Sequence, residues 1–197
     1  NTYIQNNYDD ETLSVLNNML PVKFGNDDSA DKLVTICLDI SRSMEQVDKL
    51  NIAKATSCAI LDNLDDDVMV MVIGFYGEVR TVFQQAPAKE REVLKEKIMN
   101  LEAYQGTFMG SALGYTYDMV TNLPYEKNEV ILISDGLPYG EQAESARYVV
   151  KKMAAANIML STIHTISNDG GDLMKELAAL GKGYYYYIKD IDKADDI

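Results

Sequence analysis

The stretch LVTICLDISRSM, residues 33–44, decides how the rest of the chain reads. Residues 33–38 are apolar or β-branched without interruption, the pattern of a strand covered on both faces. The run then opens into Asp39, Ser41 and Ser43, one carboxylate and two hydroxyls at alternate positions where a strand becomes a loop. A packed core has no use for that pattern. A hard cation, which takes oxygen ligands, does.

Runs of the same apolar kind recur along the chain: VMVMVIGFY (68–76), EVILISD (129–135), IMLSTIHTI (158–166) and YYYYIKD (184–190). Helical spacing fills the intervals. Residues 47–64 place Leu50, Ala53, Ser57, Ile60 and Leu64 along one face, and further helices are predicted over 89–101, 110–123, 142–156 and 172–180, the last ending at Gly181 as a C-cap. VRTVFQ (79–84) follows a Gly77-Glu78 turn and alternates, as a hairpin partner at a sheet edge does.

Near-continuous apolar strands separated by helices predict an α/β fold. It is a doubly wound, Rossmann-like three-layer sandwich with a six-stranded, mostly parallel sheet, one antiparallel edge strand and helices on both faces. Ligands of such sheets bind beyond the carboxyl ends of the strands, where strand order reverses. Residues 1–31 differ: DDETLSVLNNML reads as a short amphipathic helix stopped by Pro21, and GNDDSADK as a polar connector. Two units are expected, an N-terminal helical segment and linker (1–31) and the α/β domain (32–197). The abrupt polar start suits a piece excised from something longer.

The 197 residues suffice for one sizeable core. A net charge of −13 argues against a nucleic-acid partner and against an anionic membrane surface, while favouring cations. No apolar run approaches the roughly 20 residues of a membrane span, so this segment is not expected to insert in a membrane. Cys37 and Cys58 fall in apolar runs and read as two buried free thiols, which leaves the compartment open.

The strand ends hold the chemistry. Beside Asp39, Ser41 and Ser43 stand Asp135 in ISDGLP, at the end of a second apolar run, and Thr107 in YQGTFMGSALG, in the loop before a helix. Two carboxylates and three hydroxyls, with no histidine or thiolate, favour Mg²⁺, Mn²⁺ or Ca²⁺ over zinc or copper.

LVTICLDISRSM, YQGTFMGSAL and VILISDGLP, in this order, resemble the von Willebrand factor type A (integrin I-like) domain over roughly residues 32–197. That family's metal-ion-dependent adhesion site is Asp-x-Ser-x-Ser, then a Thr, then an Asp, and all five positions match: Asp39, Ser41, Ser43, Thr107 and Asp135. The resemblance implies cation-dependent protein binding for adhesion or complex assembly. Hydroxyls bind the ion directly, its charge stays under-compensated, and an Asp or Glu carboxylate of a protein partner completes the shell.

More narrowly, the chain is similar to type A domains of membrane-anchored bacterial multidomain proteins, which favours an extracytoplasmic soluble portion. Arg42 and His164 stand where the family often has glycine. Neither removes an oxygen ligand, and Arg42, between two ligand positions, is expected to face solvent.

Two rival functions remain: a scaffold for a magnesium-chelatase-like ATPase, and a Mg²⁺-dependent hydrolase. The hydrolase is disfavoured because no phosphate-cradling glycine motif is present, and Gly181 and Gly183 in GKGYYYY read as turn residues. His164 reads as a strand histidine satisfied by its neighbours. Asp65, Asp66 and Asp67 precede a strand and read as a solvated turn at the end opposite the metal. Gly106, Gly110 and Gly114 read as close packing of a helix on the sheet. Tyr184 to Tyr187 are expected to alternate inward and outward.

Overall fold

Each long apolar run becomes a strand because only a sheet covered on both sides removes every residue of such a run from water. The computed structural model describes residues 31–138, 140–165 and 169–188. Its strands are β1 (Lys32–Asp39), β2 (Met69–Phe75), β3 (Val79–Pro87), β4 (Lys127–Ser134), β5 (Ile158–Thr165) and β6 (Lys182–Ile188). They form one sheet in the order β3-β2-β1-β4-β5-β6. Neighbours run parallel except β2 and β3, the antiparallel pair at one edge. The helices are α1 (Lys49–Asp62), α2 (Arg91–Met99), α3 (Met109–Thr121), α4 (Gln142–Ala155) and α5 (Gly171–Leu180), with 3₁₀ turns over Arg42–Asp48 and Ala88–Glu90. The predicted N-terminal helix and linker, and residues 166 and 189–190 of the predicted strands, lie outside the described residues.

The period of two along β1 divides the core. Val34, Ile36 and Leu38 join one cluster with Leu50, Ile60 and Leu61 of α1 and Leu94 and Ile98 of α2. Leu33 and Cys37 join the opposite cluster with Met109 and Leu113 of α3, Val150 and Met153 of α4, and Met174 and Leu177 of α5. Each such side chain contributes about 1.5–3 kcal/mol on burial, so a one-residue slip of β1 would exchange the two sets and is strongly disfavoured.

Three expectations need correction. The single apolar face predicted for residues 47–64 understates the burial of α1, which is enclosed nearly all round from Lys49 to Leu61. Its Ala53, Ala55, Ser57, Cys58 and Ala59 are small enough to allow that. Thr56 and Ser57 return their hydroxyls to the carbonyls of Ile52 and Ala53 at 2.8 Å, so no polar group is stranded.

The glycines of α3 pack that helix on α4 rather than on the sheet. A Cβ on Gly110 would stand 2.5 Å from Ser145 Cβ and 2.7 Å from the Gln142 carbonyl, and one on Gly114 would meet Val149. Gly106 precedes the helix, with φ of 92° against Gly77. Gly181 does end α5, but its φ is −82°, and the left-handed residue is Lys182 at 57°. Gly181 is a turn residue, as expected, while Gly183 lies within β6, and both approach Leu160 of β5 closely.

Three further expectations about the fold agree. Asp65, Asp66 and Asp67 are exposed at the amino end of β2, where Asp66 accepts from Arg91 at 2.8 Å. The tyrosines alternate. Tyr185 and Tyr187 lie beside His164, while Tyr184 is 63% exposed and Tyr186 packs against the α1–α2 core. Cys37 and Cys58 are both buried and free.

Candidate metal centre

The chain leaves β1 toward β2 on one side and later returns to pair β4 on the other. Order therefore reverses at β1, and loops diverge there. β1 and β4 run parallel in a register that sets Leu38 beside Ile133, so Asp39 and the Ser134–Asp135 pair finish next to one another.

Asp39 is fully buried. Its Oδ1 accepts from the Ser41 backbone N–H at 2.8 Å and its Oδ2 from Ser134 Oγ at 2.6 Å. Ser41 and Ser43 bring their hydroxyl oxygens within 3.0 Å of each other. The turn is pinned from below by Met44, which is fully buried and receives the Thr165 hydroxyl on its sulfur at 3.7 Å. Arg42 is 71% exposed and faces Glu45, between buried Ser41 and half-buried Ser43.

Thr107 arrives by backbone stitching. Tyr104 N donates to the Ile40 carbonyl at 2.8 Å and pairs alongside Ser41. Gly77 N donates to Gln105 O at 2.9 Å, and Phe108 N to Tyr76 O at 2.7 Å. The loop therefore extends the sheet beyond β1 and β2 and leaves Thr107 buried beside their ends.

Asp135 is also fully buried. Its Oδ1 accepts from Leu137 N at 3.3 Å and its Oδ2 from Lys49 Nζ at 3.0 Å. Gly136 follows with φ of 75°, its Cα so close to Gly170 that a Cβ would stand 2.5 Å from the Gly170 carbonyl oxygen. His164 lies behind this loop. Its Nε2 faces the carbonyl oxygens of Asp135 and Asp169, both at 3.1 Å, so Nε2 carries the proton and donates to them. Its Nδ1 accepts from the Tyr185 hydroxyl at 3.3 Å. The histidine is satisfied, as expected, and it also steadies the peptide of a candidate ligand.

Burial pushes the Asp39 carboxyl up to about 7; the hydrogen bonds from Ser134 and Ser41 oppose that rise and the nearby Asp135 adds to it. Such a carboxylate gains from a cation. The donor set suits a hard one. Each carboxylate oxygen has one described donor and retains lone-pair capacity, and the hydroxyls add neutral oxygens. Among the described residues no three His, Cys, Asp or Glu side chains gather into a metal cluster, so an ion here depends on the serines and threonine.

All five candidate residues thus sit at one corner of the sheet. Sequence reading missed Ser134, which orients Asp39, and Lys49, which holds Asp135. Ser134 carried a faint signal, a hydroxyl directly before the strand-end aspartate. Lys49 carried none, since 86 residues separate it from its partner.

A doubly wound sheet with one antiparallel edge strand and a hydroxyl-rich, carboxylate-bearing corner at its switch point defines the type A class of Rossmann-like domains. The chain belongs to the von Willebrand factor type A domain family, whose sequence model matches residues 34–197.

Solved structures share the fold. BatB of Bacteroides thetaiotaomicron superimposes with a TM-score of 0.68 at 22% identity, over 81% of this chain and 91% of that one. An aerotolerance-related membrane protein from Bacteroides fragilis gives 0.68 at 20% identity, over 83% and 94%. Manganese-loaded TRAP protein of Plasmodium vivax gives 0.66 at 17%, over 84% and 71%. No curated protein matches the chain.

Proposed function

We propose that this domain is a divalent-cation-dependent, non-catalytic protein-binding module. Asp39, Ser41, Ser43, Thr107 and Asp135 would hold Mg²⁺, with Mn²⁺ or Ca²⁺ as substitutes, and an Asp or Glu carboxylate of a partner would complete the shell. The observation that carries this reading is the pair of fully buried carboxylates beside two paired serine hydroxyls where strand order reverses, with buried Thr107 on the loop stitched to the same strand ends. When bound, the ion supplies a Lewis-acidic position that attracts an anionic oxygen.

The chain's own residues do the rest. Ser134 and the Ser41 backbone fix Asp39, the 3₁₀ turn presents two hydroxyls, and the Gly77–Gln105 stitching presents Thr107. Exposed Tyr104, Leu137 and Arg42 stand on the loops that carry these residues, as a rim a partner would cover. The manganese of the Plasmodium structure supports the choice of ion. The Bacteroides fragilis relative is named a membrane protein, which supports a membrane-anchored bacterial setting; that this portion is extracytoplasmic is part of the proposal. Among the described residues no helix is long and apolar enough to cross a membrane.

Calorimetric titration of the purified chain with Mg²⁺ and Mn²⁺ tests the reading. Binding is expected for wild type and lost in Asp39→Ala and Thr107→Ala. Absence of binding in wild type, or unchanged binding in Asp39→Ala, would overturn it. Capture of partners with and without EDTA then tests the protein-binding half.

A further inference from the structure

Lys49 is the first residue of α1, directly after Asp48 with its left-handed φ of 60°. The first turn of a helix carries partial positive charge and disfavours a cation. Lysine is also among the side chains least often buried. Yet the Lys49 side chain is only 7% exposed, and its ammonium donates to Asp135 Oδ2 at 3.0 Å. A buried ion pair gives little net stability over an apolar substitute. Local energetics therefore do not explain a lysine here; its position against a candidate ligand does.

We infer that Lys49 is a built-in monovalent competitor at the cation site. It holds Asp135 when the divalent ion is absent, weakens the affinity for that ion, and leaves the loaded site more positive toward a partner's carboxylate. This rests on the metal-binding reading above. Asp39 and Asp135 bring two negative charges when ionised and Lys49 one positive. A divalent cation then leaves a net charge of about +1 with the lysine and about zero without it. The loaded site with Lys49 binds its ion less tightly and an anionic oxygen more tightly. Among the described residues His164 also faces this corner; burial lowers its pKa, and the carbonyls of Asp135 and Asp169 to which it donates oppose that fall. The ammonium is thus the cation already present at the corner.

The experiment compares wild type with Lys49→Gln, Lys49→Met and Lys49→Arg, using Mn²⁺ alone as the probe. Dissociation constants come from calorimetry and thermal midpoints are read with EDTA and with Mn²⁺. Gln keeps a donor to Asp135 and so preserves the fold if Met does not. Lys49→Gln and Lys49→Met are expected to bind Mn²⁺ about tenfold more tightly (about 1.4 kcal/mol), with Lys49→Arg close to wild type. The midpoint of Lys49→Gln should fall in EDTA and recover in Mn²⁺ by more than wild type gains.

A merely structural lysine would lower the midpoint equally in both conditions and leave the constants within about twofold; that result overturns the inference while the metal site stands. Binding in Lys49→Gln but not in wild type would support the competitor role and defeat the proposed function of the native chain. No Mn²⁺ binding in any variant would overturn both.

Discussion

Replacing Ser134 by alanine tests whether Asp39 is held by one particular hydroxyl. Ser134 Oγ donates to Asp39 Oδ2 at 2.6 Å and accepts from Gly136 N at 3.0 Å, and all three residues are buried. The substitution deletes a hydrogen bond to an acidic group, which contributes about 1.5–3 kcal/mol, and leaves the Gly136 N–H without its acceptor. The combined loss is about 2–3 kcal/mol. In a domain of this size each kcal/mol moves the thermal midpoint by about 2–4 °C, so a fall of about 4–12 °C is expected in EDTA.

A second consequence follows from the sign of the electrostatics. The Ser134 hydrogen bond stabilises the ionised form of Asp39, whose carboxyl burial already pushes up to about 7. Without it Asp39 holds its proton to higher pH, and a cation must displace that proton. Mn²⁺ binding by Ser134→Ala should therefore weaken at pH 7 and recover part of the loss at pH 8. Scanning calorimetry and Mn²⁺ titration at the two pH values check both effects. A midpoint within about 1 °C of wild type together with an unchanged dissociation constant would show that Ser134 neither stabilises nor orients Asp39.

Gly110→Ala should destabilise the chain by about 1–3 kcal/mol in urea unfolding, because its Cβ would collide with Ser145 and the Gln142 carbonyl and push α3 off α4. A stability equal to wild type would mean that the two helices can part without cost. Cys37 and Cys58 are buried, and burial pushes both thiols up to about 12. Neither should react with iodoacetamide at pH 8 in the native protein, while both should react in urea; mass spectrometry showing native labelling at the rate of a free thiol would contradict the packing.

Much of this molecule is legible in its sequence. The strands over residues 33–40 and 129–135 declared themselves by unbroken apolar character, and the edge hairpin by its turn and alternation. Four of the candidate oxygen-bearing residues, Asp39, Ser41, Ser43 and Asp135, were nominated because such types are unusual just after a buried strand, and Thr107 because it lies in the loop before a helix. Helix boundaries were read less well. The turn after β1 is 3₁₀ as far as Asp48, and residues 88–90 form another such turn before α2. Spacing cannot distinguish a tight turn from the first turn of an α-helix. The glycines of α3 were recognised as packing residues but assigned to the wrong neighbour, because a period of four shows that a helix has a narrow face without showing what lies against it.

The sequence by itself determined the fold class, and it nominated the carboxyl edge and the candidate oxygen ligands. These are properties of local pattern: periodicity, β-branching, and polar side chains where a buried strand ends. Tertiary structure alone decided that Ser134 clamps Asp39 and that Lys49 reaches Asp135. It also placed His164 behind Asp135 and buried α1 on nearly every side. Each of these depends on which strands are neighbours and which face a helix covers. Those relations join residues far apart in the chain, and only the sheet order and its register bring them together.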